Sequence, residues 1–312
     1  MQFSDYRTQI YPEIQPDVAV GIVEDIVLRD AKRTRDLPLK IYFPMAEKNN
    51  PVIIFSHGAG GSRQGFSHLG QFWAAKGYCV VHVTHPGTDT ETLKNHGFDM
   101  IRQAALEPRT WVDRAQDISF IIDELSGLAR FASELEDTLN PQVIGLGGHS
   151  LGAHTAALIA GARLPANQFI EQPLADPRVR AFLLISIPVS PRGTNRFGLN
   201  RPAWTAMRHP TMVMTGTEDQ LSPMAPAILR QIPYRCMPEG DKYLTVLEGA
   251  EHSSYGDRGG ESISGQQHQF FVRMLSILFW DAYLKESEVA KGILQSDRVP
   301  TLTNDDVTLA SK

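Results

Sequence analysis

Val143-Ile-Gly-Leu-Gly-Gly-His-Ser-Leu-Gly-Ala-His-Thr-Ala-Ala-Leu-Ile-Ala160 is the stretch on which the fold turns. Its start, Val143 to Leu146, is a short apolar run of the kind expected in a strand covered on both faces. Its end, Leu151 to Ala162, is rich in small apolar residues and reads as a helix buried on several sides. Between them Gly148-His-Ser-Leu-Gly152 puts a serine on a sharp strand-to-helix turn. Glycines two residues to either side remove Cβ atoms that would collide with the neighbouring strand or helix. A G-x-S-x-G string alone is a weak signal, but with a strand before it and a helix after it, it marks an exposed nucleophile.

Working outward, the chain keeps alternating short β-branched runs with helical patterns, which predicts a mostly parallel central sheet of about eight strands with helices on both faces. Val23–Leu28 and Leu39–Phe43 flank a charged turn and read as an antiparallel hairpin. The further runs are Val52–Phe55, Cys79–Val83, Val143–Leu146, Ala181–Ser186, Thr211–Met214 and Tyr243–Leu247. Helical spacing of apolar residues predicts helices over Phe66–Lys76, Trp111–Ala129, Leu151–Ala162 and Gln267–Leu284. Residues from about 295 to 312 are polar and read as a loosely ordered tail. A single domain spanning 1–312 is expected, with its core at about 23–284. Two long connections, 85–110 and 187–209, follow strand ends on the side where open α/β sheets bind ligands and are expected to form the pocket walls.

Bulk composition narrows the function classes. Apolar residues make up 42% of the chain and charged ones 21%, which suits a folded core. A formal net charge of −5 gives no electrostatic case for nucleic-acid or anionic-membrane binding. The two cysteines, Cys79 and Cys236, form neither a disulfide framework nor a zinc spacing. No window of about 18 apolar residues predicts a membrane span, and the N-terminus lacks a signal-peptide pattern, so a cytoplasmic location is expected.

A serine hydroxyl is a poor nucleophile at neutral pH and needs a base to take its proton. Among ten histidines, His252 in Gly249-Ala-Glu-His-Ser253 follows the last expected strand and completes the order serine, acid, histidine. His149 adjoins the serine but points apart from it on a tight turn, and His154 packs one helical turn on. The acid that orients the base comes from Thr215-Gly-Thr-Glu-Asp219, which offers Glu218 and Asp219. An oxyanion hole needs preorganised backbone N–H groups. The glycine-rich Ser56-His-Gly-Ala-Gly-Gly-Ser62 after the third strand suits that role, with Ala59 and Leu151 as the expected donors. Phe197, Trp204, Met207 and Tyr255, with Met224 beside them, are the expected substrate-binding residues.

These motifs together resemble the α/β-hydrolase superfamily. Phe55-Ser-His-Gly-Ala-Gly-Gly-Ser62 and Val80-Val-His-Val-Thr-His-Pro-Gly87 are similar to its dienelactone-hydrolase-like group, related to the platelet-activating-factor acetylhydrolases. The resemblance runs from about Val23 to Leu284 and places the acid at Asp219. Acetylhydrolases take theirs from the end of the preceding strand. Here that position reads Ile185-Ser-Ile-Pro188, without a carboxylate. Dienelactone hydrolases use cysteine where this chain has Ser150. The resemblance therefore implies carboxylester hydrolysis on a small-molecule ester, with no metal or organic cofactor required and the oligomeric state open. Acyl transfer, thioester or amide cleavage, and a receptor built on the hydrolase fold are the competing readings.

Overall fold

The computed structural model describes residues 3–164, 174–190, 196–220 and 225–312. The strands are β1 (Val20–Asp30), β2 (Arg35–Pro44), β3 (Asn50–Ser56), β4 (Cys79–Val83), β5 (Leu139–His149), β6 (Val179–Ile185), β7 (Thr211–Glu218), β8 (Lys242–Glu251) and β9 (Val307–Ser311). They form one sheet in the order β1-β2-β4-β3-β5-β6-β7-β8-β9. The helices are α1 (Phe3–Ile10), α2 (Ser67–Ala75), α3 (Thr90–Ala104), α4 (Pro108–Glu124), α5 (Leu151–Ile159), α6 (Ile232–Cys236), α7 (Ile263–Leu284), α8 (Glu288–Leu294) and α9 (Arg298–Thr303).

Pairing is parallel from β4 through β3, β5, β6 and β7 to β8. It is antiparallel between β1 and β2, between β2 and β4, and between β8 and β9. The expectation of about eight mostly parallel strands thus becomes nine in a mixed sheet, an arrangement that fits the α/β-hydrolase fold. The added strand, β9, lies in the stretch read as a loose tail. Val307 is fully buried against β8 while the rest of the strand is half-buried or exposed. A five-residue edge strand with one buried face carries too few apolar residues to stand out locally.

Alternation across the pleat divides the core into two layers. Val52 and Ile54 of β3 face one side, with Trp111 and Ile118 of α4 and Leu158 of α5. Ile53 and Phe55 face the other, with Trp73 of α2 and Phe279 and Trp280 of α7. Burying such strands on both faces is what lets their sequences run continuously apolar. The connection 85–110 contains α3, unforeseen from the sequence, whose residues 94–100 are exposed and whose helix is broken at Gly97 (φ 80°). In the connection 187–209, residues 191–195 lie outside the described residues. Among the described residues no helix is long and apolar enough to cross a membrane.

Candidate active site

Ser150 joins β5 to α5 with φ 53° and ψ −117°, a conformation side chains rarely adopt. The surroundings over-determine it. Its N–H donates to Ile185 C=O at 3.0 Å, and its C=O accepts from His154 N–H at 3.1 Å. A Cβ on Gly152 would overlap the Ser56 carbonyl, and one on Gly148 would overlap Gly152, so both sites must stay bare. Gly152→Ala should therefore lower stability by about 3 kcal/mol or more, read by denaturant unfolding, because the obstacle is backbone that cannot swing away.

The ends of β5, β7 and β8 converge here. His252, just past β8, brings Nε2 to 3.2 Å from Ser150 Oγ. Its Nδ1 lies 3.0 Å from Asp219 Oδ1, just past β7. Glu218 is exposed while Asp219, the first residue past the strand, is fully buried, so only one of the two carboxylates that the sequence left open turns inward. Asp219 Oδ2 accepts from Thr215 Oγ1 at 3.0 Å. Burial alone would raise the Asp219 carboxyl, but the His252 hydrogen bond, the Arg230 charge and the Ser186 hydroxyl outweigh it and hold the pKa below the usual carboxylate range.

Two residues of this site escaped the sequence reading. Ser186, just past β6, donates to Asp219 Oδ1 at 2.8 Å, and its Oγ lies 2.6 Å from His252 Nδ1. Asp219 Oδ1 and Ser186 Oγ can both accept a hydrogen from Nδ1, which would leave Nε2 to accept from Ser150, and Arg230 Nη2, a donor, stands 3.2 Å from the same nitrogen. Arg230, in the short turn Ala227–Gln231, is buried and sets Nε 2.9 Å from Asp219 Oδ1. Its Nη1 donates to the Ser186 and Ile187 carbonyls, both at 2.8 Å. The sequence signal for Ser186 was its place at the end of a strand, where the resembling acetylhydrolases carry their acid, and a lone arginine in a turn gave none. Ser186→Ala should lower kcat roughly 10- to 100-fold with little change in KM, since one hydrogen bond in a charged pair is worth about 1.5–3 kcal/mol. Steady-state kinetics on a chromogenic ester would read this split.

The other expected positions fall into groups. His149 Nε2 lies 3.1 Å from the His252 carbonyl, with the two rings 4.7 Å apart. Burial, helped by the nearby His252, pushes its pKa down to about 3, so it braces the His252 turn as a neutral donor. Gly58 packs against the Ser150 turn, where an added Cβ would stand 3.2 Å from Ser150 Cβ. Among the described residues the Ala59 and Leu151 amides have no hydrogen-bond partner. Leu151 opens α5, whose N-terminal end carries positive dipole charge.

The expected pocket residues are corrected in part. Trp204 and Met207 are 0% exposed and belong to the apolar layer that contains Leu151 and Leu158. Side chains closed on all sides by packing cannot line an open pocket. Tyr255 is likewise fully buried, with its hydroxyl 3.5 Å from Asp219 Oδ2, behind the acid. Burial raises its pKa well above the usual phenol range. Phe197 is half-buried, and its carbonyl lies 2.8 Å from His154 Nε2. Met224 lies outside the described residues.

Part of the N-terminal half matches a family model. Residues 22–117 match the family model of platelet-activating factor acetylhydrolase, isoform II. That segment runs from β1 into α4 and includes the 57–61 loop, and it ends before Ser150. It supports the resemblance drawn from the motifs. Among curated proteins none matches the chain.

Proposed function

We propose that the protein is a serine carboxylester hydrolase that works through an acyl-enzyme on Ser150, with His252 as base and Asp219 as acid. The observation that carries this reading is the unbroken line from Ser150 Oγ to His252 Nε2 at 3.2 Å and from Nδ1 to Asp219 at 3.0 Å. Ser150 Oγ attacks the ester carbonyl while His252 Nε2 takes its proton. The Ala59 and Leu151 amides receive the oxyanion. His252 then protonates the departing alcohol. Water, deprotonated by the same imidazole, releases the acid and restores the serine. Asp219 stays ionised throughout and stabilises the imidazolium.

The matched family is named for an acetylhydrolase, which favours a short acyl group as the part transferred to Ser150. A panel of p-nitrophenyl esters of increasing chain length tests this, and the shortest acyl chains should turn over fastest. A fluorophosphonate should label the protein, with peptide mapping placing the adduct on Ser150. An active preparation that resists the probe, or one labelled elsewhere, would remove the reading.

A further inference from the structure

A second Ser-His-Asp line lies beneath the 57–61 loop. His85 Nε2 is 2.9 Å from Ser56 Oγ, and His85 Nδ1 is 2.9 Å from Asp117 Oδ2. Its atom order repeats that of Ser150, His252 and Asp219, with shorter distances. All three side chains are 0% exposed. The directions of its hydrogen bonds follow from Arg114, which can only donate. Arg114 Nη2 reaches Ser56 Oγ at 3.0 Å, so Ser56 sends its own hydrogen to His85 Nε2. His85 Nδ1–H then serves Asp117, which also accepts from Arg33 and Arg35, each at 2.8 Å. Burial, with Arg114 acting the same way, pushes the His85 pKa down to about 4 and keeps the ring neutral.

The line ends on the loop that carries the Ala59 amide. Arg114 donates to the His57 carbonyl at 2.5 Å, and also to Thr88 Oγ1 at 2.7 Å and Thr155 Oγ1 at 3.0 Å. One guanidinium from α4 thus ties together the loop, the turn after β4 and helix α5. The His85 N–H donates to His57 Nε2 at 3.0 Å, which places the His57 hydrogen on Nδ1. That hydrogen goes to the Gly58 carbonyl at 2.6 Å, which also accepts from Gly61 N–H at 3.0 Å. In a planar trans peptide the N–H points opposite the C=O, so pinning the Gly58 carbonyl aims the Ala59 N–H. A buried ionic network adds little net stability over apolar packing, but it does hold one geometry.

We propose that Ser56, His85, Asp117 and Arg114 are positioning residues that hold the Ala59 amide ready for the oxyanion, and that this second line performs no acyl chemistry. Ser56 has no solvent access and no strained turn to present it, and Arg114 occupies one of its lone pairs. The inference rests on Ser150 being the nucleophile, so the test separates the two claims. Ser56→Ala and Arg114→Lys are assayed beside Ser150→Ala. The first two should lose roughly 10- to 100-fold in kcat with KM within about twofold, because a misplaced oxyanion donor is felt only in the transition state. Affinity for a boronic acid, whose tetrahedral adduct on Ser150 carries the oxyanion, should fall in parallel. Both variants should still be labelled on Ser150 by a fluorophosphonate.

If folded Ser56→Ala and Arg114→Lys keep kcat and boronate affinity within twofold, the positioning role is overturned and the Ser150 reading stands. If both fail to fold, the network holds the core rather than an amide, and the proposal falls. If Ser150→Ala remains active while Ser56→Ala is dead and unlabelled, both claims fail together.

Discussion

Ser150→Ala should lose three or more orders of magnitude in turnover on a short-chain p-nitrophenyl ester, with its unfolding midpoint nearly unchanged. Removing the nucleophile of such a unit leaves only the rate supplied by binding and the oxyanion amides. Stability is little affected because the hydroxyl makes one long hydrogen bond, the 3.2 Å contact with His252, from a half-buried position. The strained backbone of the turn is retained, since alanine at φ 53° is strained as serine is. The His252 and Asp219 contacts also remain, so circular dichroism should superimpose on that of the parent. Fluorophosphonate labelling should vanish. A variant that kept most of its turnover would show that the acyl group does not pass through Ser150.

Acid should unfold the protein between about pH 6.5 and pH 4. His82, His85 and His154 are at most 1% exposed, and burial pushes each pKa from 6.5 to about 4. Burial lowers His57 in the same direction. Above pH 6.5 these rings are neutral in both states and add no pH dependence. As pH falls through that value the unfolded chain takes up protons that the folded chain refuses, and stability drops until the folded rings titrate near pH 4. Three such groups together cost about 4 kcal/mol per pH unit. Domains have a total stability of about 5–15 kcal/mol, so little survives the window. The carboxyls of Asp117 and Asp219 are held low in the fold and extend the loss further into acid. Melting temperatures measured from pH 8 to pH 4 would read the slope, and proton uptake on unfolding at pH 5 should be about three or more. A melting temperature level down to pH 4.5 would show that these rings are protonated in the fold.

The backbone plan was largely open to reading from local pattern. Continuous apolar runs, the small-residue helix and the bare positions 148 and 152 describe a strand, a turn and a helix without reference to anything distant. The ninth strand was not readable, because Val307–Ser311 gains its meaning from Tyr243–Leu247, some sixty residues earlier in the chain. Trp204, Met207 and Tyr255 misled for a related reason. Large apolar side chains look alike whether a loop folds them under the sheet or leaves them at a mouth.

Spacing alone was enough to foresee a strained serine between strand and helix, and a histidine and a carboxylate after later strands, since each of these depends on a few consecutive φ/ψ angles and an apolar period. It could not say that Asp219 rather than Glu218 turns inward, that Ser186 and Arg230 grip the acid, or that Ser56, His85 and Asp117 line up under the loop. Those facts depend on which strands lie side by side and in what register. Hydrogen bonds between side chains join residues tens to a hundred positions apart, so folding has to bring the partners together before their chemistry exists.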